Sequence, residues 1–315
     1  MLVGCSRSAR FARGTAARHA LWLRPGRAAT VGGVGTEEIA RVGISGWRYP
    51  PWRGVFYPKG LPQRRELEYA SRRLATIELN GTFYSLQRPE YFANWRDETP
   101  AGFIFAVKGP KFITHVLKLR DARRPLANFF ASGVLALGPK LGPFLWQLPP
   151  GTAFDAELLE QFLSELPSST RAAAALASEH DSHLRAEAWL TTDAERPIRH
   201  AVEVRNHTFR APEFFTTLRR HNVAAVIADT AGKWPQFTEL TADFAYARLH
   251  GDTVLYESGY DDEALDRWAG TVRGWLASGR DSYVYFDNDT KVRSPHDAMA
   301  LAERLGVSPL TTPAG

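Results

Sequence analysis

The stretch "RHAVEVRN", residues 199–206, decides how this chain folds. Side chains two apart on a strand share a face, so Val202 and Val204 project to one side and Glu203 and Arg205 to the other. Aliphatic residues facing out to helices, with an acid and a base facing in at the strand's C-terminal end, are the pattern of a parallel barrel strand with a site above it. Seven other runs share this character: "RVGISGW" (41–47), "TIELNGTFY" (76–84), "FIFAVKGPK" (103–111), "LGPFLWQLPP" (141–150), "AAVIADT" (224–230), "FAYARLHG" (244–251) and "SYVYFDND" (282–289). Their near-continuous apolar stretches suit strands covered on both faces.

Between the runs lie segments of helical periodicity. Residues 64–74, 154–166 and 262–276 each carry an apolar stripe, and 294–306 begins Ser-Pro and stops at Gly306, predicting a Ser cap and a glycine stop. The segment 168–196 has room for an extra helix, whereas 231–243 is short and holds Pro235. Eight alternating units argue for an α/β fold, a single (β/α)8 TIM barrel over 41–306 with a short tail at 307–315. No glycine-rich dinucleotide fingerprint follows the first strand and no Walker sequence is present, which counts against an open nucleotide-binding sheet.

Barrels of this type keep their chemistry at the C-terminal strand ends. There the sequence places Glu78 and Asn80, Lys108, Gln147, Glu203 and Arg205, Asp229, Arg248 and His250, and Asn288 flanked by Asp287 and Asp289, with His115 just beyond the third strand. A lone buried charge is expensive, so these groups must be paired among themselves or used by a ligand. Glu78, Glu203 and Asp229 against Lys108, Arg205 and Arg248 would balance. The aromatic loop after the first strand is stiffened by Pro50 and Pro51. It is expected to hold Trp47 and Tyr49 as walls of the mouth, while Phe56 and Tyr57 pack beneath. Gly43 and Gly46 read as positions of close backbone approach.

The net charge of +5 resides mostly in a leader, residues 1–40, which has six arginines and only Glu37 and Glu38 as acids; the rest of the chain carries 33 basic and 32 acidic side chains. The body therefore has no bias toward nucleic-acid backbones. The leader reads as a disordered arm, as sequence upstream of the true start, or as a mitochondrial transit peptide, which its Arg-rich, acid-poor composition resembles. No apolar run reaches the length of a membrane span, and Cys5 is the only cysteine, so the body reads as cytoplasmic.

The motifs "GISGWRYPPWRGVFYP", "IELNGTFYSLQRPEYFANWRDETPAGFIFAVKGPKFITH", "LGPFLWQLPP", "HAVEVRNHTF", "ARLHG" and "YVYFDND" resemble the YecE-like family, labelled domain of unknown function 72, over roughly residues 41–306. The resemblance implies a TIM barrel and a site location, and no reaction. In place of the family's small residues before the last helix, this chain has Lys291 and Arg293 in "DNDTKVRSPHDA".

Three functions fit these residues. The first is a hydrolase-like enzyme using carboxylate acid/base chemistry on a sugar-, base- or phosphate-containing substrate, a small-molecule or nucleotide-like ligand in the barrel mouth. Glu203 is then the base or nucleophile oriented by Arg205, Glu78 or Asp229 is the acid, and His250 is a proton shuttle. No motif calls for a cofactor. The second is a phosphodiester hydrolase with one divalent metal on Glu78, Glu203, Asp229 and His250. The third is a non-catalytic pocket for a small anion or single-stranded nucleic acid.

Overall fold

The computed structural model describes residues 39–308. The expected leader lies outside them except for its last two residues, and the expected tail except for its first two. Each of the eight runs forms strand: β1 (Ala40–Ser45), β2 (Thr76–Leu79), β3 (Ile104–Lys108), β4 (Leu141–Gln147), β5 (His200–Glu203), β6 (Ala224–Ala225) with β7 (Ile227–Asp229), β8 (Phe244–Leu249) and β9 (Asp281–Phe286). All pair in parallel in the order β6-β5-β4-β3-β2-β1-β9-β8-β7. The two ends of that order are consecutive pieces of one run, so the sheet nearly closes on itself as a TIM-type barrel. The break at Val226 has a local cause. The Thr241 hydroxyl accepts from the Ala225 amide at 2.7 Å and donates to the Val223 carbonyl at 2.6 Å, taking groups that a continuous strand would offer its neighbour.

Helices α1 (Glu66–Ser71), α2 (Gly81–Tyr84), α3 (Pro89–Glu98), α4 (Arg123–Ala131), α5 (Ala156–Glu165), α6 (Thr170–Ala177), α7 (Pro212–Arg220), α8 (Asp262–Ala277) and α9 (Arg293–Leu305) occur between the strands and after the last. The four anticipated stripes are α1, α5, α8 and α9, and the extra helix of 168–196 is α6. Asp155 and Asp261 cap α5 and α8 by accepting from the amides of Leu158 and Ala264. Gly306 ends α9 in the left-handed conformation, as expected. The Ser cap is corrected: α9 starts at Arg293, two residues before the expected Pro295, because the turn that joins the Val292 amide to the Asp289 carbonyl feeds directly into it. Ser294 thus falls inside the first turn.

Along each strand one set of side chains packs outward among the helices, as Val42, Ile44, Val202, Val204, Val284 and Phe286 do. The alternate set fills the barrel. Its lower and middle part is apolar and tyrosine-rich, with Ala106, Leu145, Ala201, Val226, Ala228, Phe244, Tyr246, Tyr283 and Tyr285. Gly43 is needed where β1 meets β2, since a Cβ there would fall 1.9 Å from the Thr76 carbonyl oxygen. This plug leaves the C-terminal end of the barrel as the place where polar inward residues collect.

Candidate active site at the barrel mouth

Arg248, the penultimate residue of β8, stands at the centre and is fully buried. Its Nη1 donates to Glu203 Oε2 at 2.8 Å, and its Nη2 to Glu78 Oε1 and Asp287 Oδ2 at 2.9 Å each. Nε reaches Glu78 Oε2 at 3.1 Å, and Nη2 also reaches Ser45 Oγ at 3.0 Å. Glu78 accepts further from the Ser45 hydroxyl and, at 2.7 Å, from the Tyr246 hydroxyl. Glu203 accepts from Gln147 Nε2 and Arg205 Nε, both at 2.9 Å. Burial alone would push the Glu203 carboxyl up; Arg205, Arg248, His250 and Lys108 outweigh it and hold the group well below the usual carboxylate range. Asp287 is held down in the same way, against burial, by Arg248, His250 and Lys108.

His250 lies against this centre with Nε2 3.3 Å from Arg248 Nη1 and Nδ1 3.1 Å from Asp287 Oδ2. Because a guanidinium only donates, Nε2 is the acceptor in its contact with Arg248. Tyr256 closes the top of the centre. Its ring meets His250 edge-on at 5.3 Å and its hydroxyl accepts from Arg205 Nη2 at 3.3 Å. Arg205 is also stacked on Trp234, 3.8 Å from the ring centroid.

One sector of the mouth is different. Lys108, the last residue of β3, points inward with 8% exposure. Among the described residues it makes no ion pair within 4.0 Å and no side-chain hydrogen bond; its Nζ sits 4.5 Å over the face of Phe83. Burial and the neighbouring Arg248 push its ammonium down to about 8, against the pull of Glu78, Asp287 and Glu203. His115 meets the same Phe83 ring edge-on at 5.0 Å, and burial with Lys108 and Arg205 lowers its pKa. Around the barrel from β3, past β2 and β1, a cavity of about 270 Å³ is lined by Trp47, Tyr49, Asn80, Gly81, Gln87 and Trp95, among others. That is just below the ~300 Å³ at which ligand pockets usually begin. Tyr49 is bent back so that its hydroxyl donates to the Ser45 carbonyl at 2.6 Å. Gly46 permits this, since its φ is +82° and a Cβ would sit 2.9 Å from the Tyr49 hydroxyl. Beyond β1, burial and Asp287 raise the Asp289 carboxyl to about 6.

The family model for "Protein of unknown function DUF72" matches residues 41–314. The chain belongs to the DUF72 family. It is similar to the UPF0759 protein YecE of Escherichia coli K12, 33% identical over 128 residues, which are 40% of this chain and 44% of that relative. The chain thus matches less than half the length of this curated relative. A DUF72 protein of Thermotoga maritima has the same fold at a TM-score of 0.67 and 24% identity, covering 85% of this chain and 99% of that one. A DUF72 protein of Enterococcus faecalis gives a TM-score of 0.67 at 16% identity over 88% and 100%.

In this DUF72 barrel, Glu78, Gln147, Glu203, Arg205, Arg248 and His250 are brought together, Lys108 points into the same mouth without bonding to them, and Asn80 joins the cluster through Nδ2 to Ser45 Oγ at 3.1 Å. Trp47 and Tyr49 do line a cavity, and Phe56 and Tyr57 are buried with Trp52 below the loop. Two expected members are elsewhere. Asp229 shares the outward face of β7 with Ile227 and accepts from Tyr260 at 3.2 Å. Asn288 likewise falls outward, donating to Asp297 Oδ2 at 2.8 Å and to the Ser258 carbonyl at 2.9 Å. Asp287 occupies the inward place instead and restores the expected balance of three acids against three bases. Counting by two from Tyr283 and Tyr285 would have found it. Ser45 was findable from Gly43 in the same way, whereas Tyr256 and Trp234 come from irregular loops that carry no such count. Among the described residues no three His, Cys, Asp or Glu side chains are grouped as a metal-ligand set, and no helix is long and apolar enough to cross a membrane.

Proposed function

We propose that this DUF72 chain is an enzyme whose active site is the β9–β1–β2–β3 sector of the barrel mouth, performing acid/base chemistry on a small polar substrate with a ring-shaped part, such as a sugar or a nucleobase, seated against Trp47 and Tyr49. The observation that carries this reading is Lys108. Arg205 and Arg248 are each bonded to carboxylates, whereas the largely desolvated Lys108 ammonium has no ion-pair or hydrogen-bond partner among the described residues, a cost that a structural plug would have no reason to keep. Asp289, near 6, follows β9 and Lys108, near 8, ends β3, the strands on either side of β1 and β2, and both exchange protons close to neutral pH. Glu78, Glu203 and Asp287, each bonded to Arg248, act on this reading as the rigid frame that positions the sector.

The test is a ligand-observed NMR screen of neutral and phosphorylated monosaccharides, nucleobases and nucleosides against the wild type and Tyr49→Ala. At least one compound is expected to bind and to lose about tenfold or more in affinity in the variant. Its turnover should show limbs near pH 6 and pH 8. Compounds that bind both proteins equally would remove the cavity from the site.

A further inference from the structure

We infer that Lys108 is a covalent nucleophile, whose amine condenses with the carbonyl carbon of an aldehyde or ketone substrate to give an iminium ion at the end of β3. The inference rests on the active-site reading above and names its substrate class: a carbonyl compound, which includes a sugar in its open-chain form.

A lysine that merely neutralises charge is placed on a carboxylate. Around Lys108 the carboxylates are already taken, since Glu78, Glu203 and Asp287 each have an oxygen within 2.9 Å of an Arg248 nitrogen. A lysine that merely attracts anions is left in water, yet only 8% of Lys108 stays exposed. What remains is an ammonium under an aromatic face, near a second cation, and such desolvation beside another positive charge is the means by which proteins activate lysine. With the group near 8, about a tenth of it is free amine at pH 7, roughly 10²-fold more than for an exposed lysine. The Thr82 hydroxyl donates to the Lys108 carbonyl at 2.6 Å and ties the residue's backbone to α2, the helix that carries Phe83.

The step balances without a further reagent. The amine lone pair forms the C–N bond while the carbonyl π pair moves to oxygen, which takes a proton. The nitrogen then loses a proton, which passes to the hydroxyl oxygen, its lone pair forms C=N, and the C–O bond breaks as water leaves. One carbonyl compound and one ammonium give one iminium ion and one water. His115, against the same Phe83 ring and with its pKa lowered by burial and by Lys108, is on this inference the group that carries the proton between nitrogen and oxygen.

The full chain is incubated at pH 7 with glycolaldehyde, dihydroxyacetone or pyruvate and sodium cyanoborohydride, and the modified sites are mapped by peptide mass spectrometry. With at least one probe, Lys108 is expected to be reduced to a stable secondary amine about 10²-fold faster than the exposed Lys59 and Lys111. The fast phase should vanish in Lys108→Met, whose circular dichroism and Tm confirm folding. If Lys108 reacts with all three no faster than Lys59, the inference is overturned. Should a ligand still depend on Tyr49 in that case, the active-site reading survives alone. Loss of both signals removes both.

Discussion

Arg248 and Lys108 are inward-pointing cations at the same end of one barrel, yet the β8–β9 side and the β3 side of the mouth treat them in opposite ways. Around Arg248, three carboxylates, a hydroxyl and an imidazole take up the guanidinium's donors. Around Lys108 there is an aromatic ring and no ion-pair partner. A saturated buried network is stiff and chemically quiet, because its donors and acceptors are already engaged with one another. An unsatisfied group keeps its reactivity, and the fold bears the desolvation cost. The difference teaches that charge density alone does not mark the reactive part of this mouth; the absence of a partner does.

The largest expected effect comes from breaking the saturated side. Arg248→Met leaves three carboxylates buried without their common partner and should lose at least about 3–5 kcal/mol by urea denaturation. A loss below about 1 kcal/mol would show that the two sides do not differ in kind. The same network has an acid signature. Glu203 and Asp287 are held below their unfolded values, so their stabilisation is complete above roughly pH 4 and is lost as pH falls through the lower folded values.

Lys108→Met tests the other side and should have the opposite sign. The folded protein carries this ammonium near 8 and the unfolded chain near the ordinary value of about 10.4. Folding therefore bears the whole cost below pH 8, and stability climbs as pH rises from 8 toward 10.4. The variant should be more stable than wild type at pH 7 by about 1–3 kcal/mol and should lack that alkaline rise. Destabilisation at pH 7 would place Lys108 with the scaffold. The smallest effect belongs to Asp229→Asn. The carboxamide still accepts from the Tyr260 hydroxyl outside the mouth, so the variant should change stability by less than about 1 kcal/mol and leave ligand affinity at Trp47 and Tyr49 within about twofold.

Much of the mouth was legible because Val202 and Val204 betray the parity of β5, and with it the inward direction of Glu203 and Arg205. The same logic failed at Asp229 and Asn288 for a physical reason. Strands buried on both faces have no apolar–polar alternation to read, so "AAVIADT" looks the same from either side. In "SYVYFDND" three consecutive polar residues follow a run that is apolar on both faces. The loops were less legible still. Trp234 over Arg205 and Tyr256 over His250 depend on how irregular backbone is laid across the barrel end.

The sequence by itself determined the barrel, its eight strand runs, most of the helices between them and the end at which charge gathers, since these follow from local periodicity and turn chemistry. Only the tertiary structure decided which charges satisfy one another and which does not. Glu78, Glu203, Arg248 and Asp287 come from three strands and the residue just after a fourth, spread over more than two hundred residues, and their pairing is set by barrel closure. What separates Arg248 from Lys108 is the set of neighbours that closure delivers to each.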